Sequence, residues 1–262
     1  MTTELQPLPE RQTLSGFRNM LRIENSRWWN RRNILTQSIV WLASVNFIVA
    51  MPILVAPILG ESGTILLEEG VDIFTNIFSV VLAIGSVILL QGSIVGEKQS
   101  GTAAWILSNP ISRTSYILSK LVANTVGILS VGIILQGAVG YLIISFGTGA
   151  TVPLIPYVIA MGLLTLYTLF YISVTLMLGS FFSARGPILG IAMALVFQDF
   201  LGQIIDSIVK GFTSILPNRL VEAAQALILG NPLPSMVPVA YTVIFIVLFI
   251  GLAIWRFNKT EF

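Results

Sequence analysis

The chain contains neither cysteine nor histidine among its 262 residues, and only 10% of the residues are charged. Without cysteine there is no disulfide framework and no thiolate metal site. The absence of histidine excludes Ser-His triads, HExxH zinc sites and acid–base catalysis by imidazole. The net charge of +2 is too small to suggest binding to nucleic acid. The function must therefore be sought in the apolar part of the sequence.

Hydrophobic residues make up 55% of the chain, whereas a soluble domain carries about 25% charged residues. Each of six apolar segments has roughly the 20 residues that cross a ~30 Å hydrocarbon core. No short apolar leader segment precedes them, so we expect no signal peptide. The sequence predicts an all-α membrane protein with a six-span domain over residues 34–262. The predicted spans are Ile34–Leu59, Ile73–Val95, Leu121–Phe146, Pro156–Phe182, Pro187–Ile205 and Met236–Trp255.

The distribution of basic residues predicts the orientation. In the six-span scheme, all of the 14 basic residues except Lys210 and Arg219 lie on one side. The first loop on the opposite side, Glu61–Asp72, is acidic and has no Lys or Arg. By the positive-inside rule both termini are cytoplasmic, and we expect the plasma (inner) membrane of a prokaryote.

Two further regions are amphipathic. In residues 1–33, a cytoplasmic tail leads into an Arg- and Trp-rich segment whose composition is typical of a helix in the membrane interface, with Arg27, Trp28, Trp29 and Arg31 at headgroup depth. The alternative is a basic flank that only fixes topology. On the external side, residues 206–235 predict two short amphipathic helices that cap the bundle or enter the outer leaflet.

The loop Glu97–Lys120, EKQSGTAAWILSNPISRTSYILSK, is the sizeable internal stretch that is both polar and basic. Pro110 disfavours helix at Asn109, so we predict a short helix over Glu97–Ser108 and a second helix capped by Ser112 or Thr114. The first of these either lies on the lipid headgroups or docks a soluble partner.

At these residues the chain resembles the permease subunits of ATP-binding-cassette transporters of the type-2 exporter family. The resemblance lies in E97-K-x-x-G101-T102, in L107-S-N-P-I-S-R113, and in Tyr116 and Lys120 at the start of span three. It implies an elbow helix, an external helical pair, and a coupling helix over residues 97–109 that enters a cleft on the ATPase. The ATPase-coupling residues it implies are Glu97, Gly101, Thr102, Trp105 and Leu107. Glu97 would contact a basic group of the partner or cap the helix.

The motor itself is not in this sequence, because no GxxxxGK[ST] phosphate loop occurs. The chain is therefore expected to be no enzyme and to hold no cofactor, with ATP and Mg²⁺ bound by a partner. The resemblance implies two separate ATPase subunits and a second permease copy, as a homodimer or a heterodimer, in contact with membrane lipid. The expected function is export or flipping of an amphiphile such as a drug, lipid or peptide.

Asp199 is the one acid predicted to lie within a span. Intramembrane acids usually face a bundle interior or a water path, which makes Asp199 a candidate for the transport path. An early end of span five would instead leave it at the external interface. The alternative function is a self-sufficient secondary transporter that uses Asp199.

Overall fold

The computed structural model describes residues 13–55 and 64–260. The described residues are 81% helical, and none of them forms a strand. Helices are expected here because a backbone in hydrocarbon must satisfy its hydrogen bonds within the segment. The helices, with a 3₁₀ turn at Phe212–Ile215, are α1 Phe17–Trp28, α2 Arg31–Val55, α3 Thr64–Leu90, α4 Val95–Gln99, α5 Thr102–Ser108, α6 Arg113–Gly147, α7 Leu154–Phe181, α8 Arg185–Val196, α9 Gln198–Asp206, α10 Arg219–Ile228 and α11 Val237–Asn258.

Five helical segments of the described chain are long and apolar enough to cross a membrane: α2, Leu67–Gln99, α6, α7 and α11. They coincide with predicted spans one to four and six, except that the predicted end of span one, Leu59, lies outside the described residues. Helix α6 begins at Arg113, so the second helix predicted after Pro110 continues into span three. Ser112 caps this helix as predicted, since its Oγ accepts a hydrogen bond from the Ser115 amide at 3.0 Å.

The predicted fifth span is not one continuous helix. The residues form α8 and α9, which are separated at Phe197 with φ −92° and ψ 26°. The break immediately precedes Gln198 and Asp199, the polar pair that interrupts the apolar run. Neither helix alone has the roughly 20 residues that a crossing requires.

Helix α7 lies at the centre of the bundle and packs most extensively against α11 and α10. The apolar face of α10, with Leu220, Ala224 and Ile228 buried, lies against α7 and α3. Gln225 at its surface donates a hydrogen bond to Asp72 of α3 at 3.0 Å. The prediction of two amphipathic helices in residues 206–235 was half right, because the first is only the 3₁₀ turn Phe212–Ile215.

Helices α2 and α6 are joined by a buried pair of amides. Asn46 donates from Nδ2 to Oε1 of Gln136 at 2.7 Å. Both helices contain a π-helical segment near this contact, at Leu42–Phe47 and Leu129–Ile134. An interhelical hydrogen bond between these amides is what the sequence predicts for polar residues in apolar spans.

Candidate functional site

Helix α1 lies against the first half of α6 and is fixed there by Trp28. The Trp28 indole is buried, and its Nε1–H donates to Oδ1 of Asn124 at 3.0 Å. Gly127 makes this contact sterically feasible, because a Cβ at that position would lie 2.1 Å from the Trp28 ring. Trp29, the residue after α1, is half exposed, and its indole donates to Oδ1 of Asn25 in that helix at 2.9 Å. The two neighbouring tryptophans therefore differ: one attaches the helix to the bundle, and the other is available to the surroundings.

Next to Trp28, a charge cluster joins three elements that are distant in sequence. It is formed by Glu24, Arg27, Glu97 and Lys120. The Lys120 ammonium lies 2.7 Å from Oε1 of Glu24 and 2.8 Å from Oε1 of Glu97. The Arg27 guanidinium lies 3.2 Å from a carboxylate oxygen of each acid. The Tyr116 hydroxyl donates to the second oxygen of Glu97 at 2.7 Å. Helix α1, the segment after α3 and the start of α6 are thereby tied together.

The charge cluster is buried and formally neutral. The Lys120 side chain is 0% exposed, and those of Glu24 and Glu97 are 4% and 11% exposed. Taking ions out of water costs several kcal/mol each, and only close partners offset that cost. Arg27, which is half exposed, completes the neutralisation at the edge. Burial disfavours its charged form, but the two carboxylates outweigh this effect, so the pKa of Arg27 is raised.

Glu97 does not take either role expected from the sequence. Its carboxylate faces the interior, where it accepts hydrogen bonds from Tyr116, Lys120 and Arg27, instead of facing a partner or capping a helix. The predicted single helix over Glu97–Ser108 is also divided, into α4 and α5. Gly101 separates them with φ +73°, a conformation that favours glycine.

Helix α5 packs one face against the rest of the chain and leaves another face exposed. Ala103 and Ile106 are buried, whereas the Trp105 side chain is 71% exposed. Thr102 and Leu107 are half-buried. A cleft of about 590 Å³ lies between α5 and α1, and Trp105 lines it. An exposed tryptophan beside an open cleft is typical of a contact surface for another molecule.

The chain preceding α1 is bonded to the segment that follows α5. Ser15 donates from Oγ to the Pro110 carbonyl at 2.6 Å, and Ser112 donates from Oγ to the Thr13 carbonyl at 2.6 Å. The Ser112 amide donates in turn to the Ser15 carbonyl at 3.0 Å. These bonds join two segments that both line the cleft, since Ser15 and Pro110 are part of its wall.

Lys98 and Gln99 extend the same connection to α7. The Lys98 ammonium donates to the carbonyls of Gly179 and Ser180 at 2.9 and 2.8 Å. Gln99 donates from Nε2 to the Ser183 carbonyl at 2.8 Å. The Gly179 and Ser180 carbonyls belong to the last turn of α7, where a cation is favoured by the helix dipole, and Ser183 follows the end of that helix.

Helix α11 is connected to the same end of the bundle. The Phe257 ring stacks on the Tyr116 ring with 4.7 Å between the ring centroids. Arg113 donates a hydrogen bond to the Asn258 carbonyl. The α4–α5 segment is therefore held, directly or through α6, by α1, α3, α7 and α11. A displacement of α5 would be transmitted to most of the bundle.

The exposed charge around the cleft has one sign. In residues 13–33 and 95–120, the acids are Glu24 and Glu97, and both are buried in the charge cluster. The exposed charged side chains of these segments are basic: Arg18, Arg22, Arg27, Arg31 and Arg32. Arg31 follows the Asn30 cap at the start of α2 and is not a member of the charge cluster.

Asp199 lies in α9, whereas the site is formed by α1, α4, α5 and the start of α6. The side chain of Asp199 is outside the described part of the structure. Its neighbour Gln198 is buried, with Nε2 3.5 Å from the Tyr171 hydroxyl. In the described residues, no group of three or more acidic side chains could hold a metal ion.

Sequence reasoning did not identify Glu24, which supplies half of the negative charge of the cluster. One signal was available: Glu24 is the single acid among five arginines in residues 18–33. A lone carboxylate in such a segment indicates an internal cation partner. Lys120, at the start of a span, is that partner.

A family model described as "ABC-2 family transporter protein" matches residues 28–262. The matched region begins at Trp28, the last residue of α1, and includes every membrane-span candidate of the described chain. No curated protein matches this chain significantly.

Proposed function

Because the chain belongs to the ABC-2 transporter family, whose members are membrane components that work with ATPase subunits, we propose that it is the permease of an ATP-driven exporter energised by a separate ATPase. The observation that carries this proposal is the anchored α4–α5 segment, which directly connects α3 to α6 and exposes Trp105 at its surface. The alternative, a secondary transporter that uses Asp199, is not favoured by the family membership.

In this proposal α5 is the coupling helix and α1 is the elbow helix. The ATPase engages Trp105 and the cleft between α5 and α1, and its closure on ATP pushes the segment sideways. Because Lys98 bonds α7 and Glu97 bonds α6 through Lys120, the push rotates several spans together. The partner can shift the equilibrium between inward- and outward-facing states only through contacts that differ between them. Gly101 and Thr102 allow the partner backbone to approach, since no atom lies within 4 Å of a Cβ built at Gly101.

In the proposed six-span topology, α8 and α9 together form the fifth crossing. Residues 185–206 would extend roughly 33 Å at 1.5 Å per residue, which is sufficient for a ~30 Å hydrocarbon core. Both termini are then cytoplasmic, in the plasma membrane of a prokaryote. Discontinuous crossings are tolerated where neighbouring helices satisfy the freed backbone groups, and Leu195 shows this, because its carbonyl accepts from the Tyr171 hydroxyl at 3.0 Å.

Single cysteines test this topology, because the chain has none of its own. Ser183 and Asn231 are exposed and lie on either side of the α8–α9 pair. In intact cells, an impermeant maleimide should label Asn231→Cys and should not label Ser183→Cys until the membrane is permeabilised. Identical accessibility of the two positions would show that α8 and α9 do not cross.

We propose that the working transporter contains two permeases, as a homodimer or heterodimer, and two ATPases. The apolar spans with few internal charges suit an amphiphilic substrate such as a drug, lipid or peptide better than a small ion. ATP and Mg²⁺ are held by the ATPase and not by this chain.

A photo-crosslinking amino acid at position 105 tests the partner surface. We expect it to capture an ATPase that carries a phosphate-loop motif, identified by mass spectrometry of the cross-linked product. The matched control is the same amino acid at Phe146, which is 81% exposed and lies near the opposite end of α6. Capture of the ATPase at position 146 and not at 105 would contradict the proposed surface.

A further inference from the structure

A groove with a volume of about 530 Å³ lies between α6 and α7, at the end of the bundle opposite the charge cluster. Its volume is within the roughly 300–1,000 Å³ of small-molecule sites in proteins. Its walls are contributed by Ile134, Gly137 and Tyr141 of α6 and by Leu154, Val158 and Gly162 of α7.

The groove has no free hydroxyl hydrogen to offer an occupant. The Tyr141 hydroxyl donates to the Val152 carbonyl at 3.0 Å, and the Tyr157 hydroxyl donates to the Gly137 carbonyl at 2.6 Å. The Thr165 hydroxyl donates to the carbonyl of Met161, in the preceding turn, at 2.8 Å. The hydrogen of each hydroxyl that lines the groove is therefore donated within the chain, and nearly all of the remaining surface is apolar. A ligand with a polar group at this depth would leave that group unpaired, which costs free energy.

The groove also has the length and position of one leaflet. It extends from Leu154, the first residue of α7, to Thr165, which is roughly 17 Å along the helix. Half of a ~30 Å hydrocarbon core is about 15 Å. Ile134, Leu154 and Val158 are 66%, 60% and 58% exposed, on two helices that are both candidate membrane spans. If both helices cross the bilayer, these side chains lie at the depth of the lipid tails.

We propose that this groove binds one hydrocarbon chain of a membrane phospholipid, which enters from the leaflet beside the loop at residues 148–153. The concave shape and the length of a single leaflet fit a lipid tail, whereas a second copy of the chain would require a matching ridge. The groove has free space at Gly162, where an added Cβ would have no atom within 4 Å. The proposal does not depend on the direction or energy source of transport.

Because Gly162 has free space around it, a larger side chain at this position can fill the groove without disturbing the bundle. This substitution tests the proposal. The purified full-length protein is delipidated, titrated with dioleoyl-phosphatidylethanolamine or dioleoyl-phosphatidylglycerol, and examined by native mass spectrometry. The variant is Gly162→Leu. The matched control is Gly251→Leu, because Gly251 is also exposed, lies in the span α11 and has no atom within 4 Å of an added Cβ.

We expect the wild-type protein and Gly251→Leu to retain one more tightly bound phospholipid per protomer than Gly162→Leu, with either headgroup. Gly162→Ala should show intermediate binding, because its side chain fills less of the groove. Equal lipid retention by wild type and Gly162→Leu would overturn the proposal. Conversion of a dimer to a monomer by Gly162→Leu, with lipid retention unchanged, would overturn it by identifying a second copy as the occupant.

Discussion

Replacing Lys120 by methionine should strongly destabilise the end of the bundle that carries the charge cluster. The substitution keeps the length of the side chain but removes the ammonium that lies 2.7 and 2.8 Å from Glu24 and Glu97. Arg27, at 3.2 Å, then faces two carboxylates alone. Removing one member of a buried ionic group costs about 3–5 kcal/mol, because the remaining charge stays uncompensated.

A cost of that size corresponds to a decrease in Tm of roughly 6 to 20 °C in a chain of this length. Thermal unfolding in detergent, followed by tryptophan fluorescence, measures the effect. Lys210→Met is the matched control, since Lys210 is exposed, and we expect it to change stability by less than about 0.5 kcal/mol.

A second substitution separates charge imbalance from lost packing. In Glu24→Gln with Lys120→Met, one acid and one base are removed, so Glu97 and Arg27 remain as a neutral pair at 3.2 Å. The double variant should therefore be more stable than Lys120→Met alone, and the coupling energy should exceed about 1 kcal/mol. A Lys120→Met variant as stable as Lys210→Met would refute the reasoning, because it would mean that water already solvates the cluster.

Further substitutions test the contacts around the cluster. Gly127→Ala places a Cβ 2.1 Å from the Trp28 ring; it should displace α1 and increase tryptic cleavage at Arg22, whereas Gly251→Ala should not. Gly101→Ala forces alanine into φ +73°, so it should lower the free energy of unfolding by about 1–2 kcal/mol. Chemical denaturation measures this loss. A loss below about 0.3 kcal/mol would show that the turn relaxes. Lys98→Met removes two charge-assisted hydrogen bonds to the end of α7; it should cost about 1.5–3 kcal/mol, and hydrogen exchange near Ser180 should become faster.

Much of the fold is predictable from the sequence because the bilayer imposes strong rules. Apolar length identified five spans, and the Pro110 break together with the Ser112 cap correctly predicted the start of α6. The division of the predicted Glu97–Ser108 helix at Gly101 was not predicted, because a glycine in a short polar run is compatible with either a helix or a turn. The break at Phe197 was missed for a related reason, since apolar length alone does not detect an interruption by two polar residues.

The site was only partly predictable. Sequence resemblance pointed to the segment after span two, where Trp105 is exposed, and the coupling role of this residue stays a prediction. The sequence does not show which charges face inward, because Glu24 and Lys120 are 96 residues apart and spans one and two both lie between them. Their pairing depends on α1 lying against α6, which in turn depends on the fit of Trp28 over Gly127. Such long-range complementarity is not visible in periodicity or composition.

The central claim is that α5 receives the action of a separate ATPase, and the rate of ATP hydrolysis tests it most directly. The ATPase captured by the cross-linker at position 105 is purified and assayed with proteoliposomes containing the wild-type chain or Trp105→Arg. Because the Trp105 side chain is 71% exposed, the variant should insert and unfold like the wild type. We predict that wild-type proteoliposomes increase the hydrolysis rate several-fold and that Trp105→Arg proteoliposomes do not. Equal stimulation by both, at equal protein content, would contradict the account.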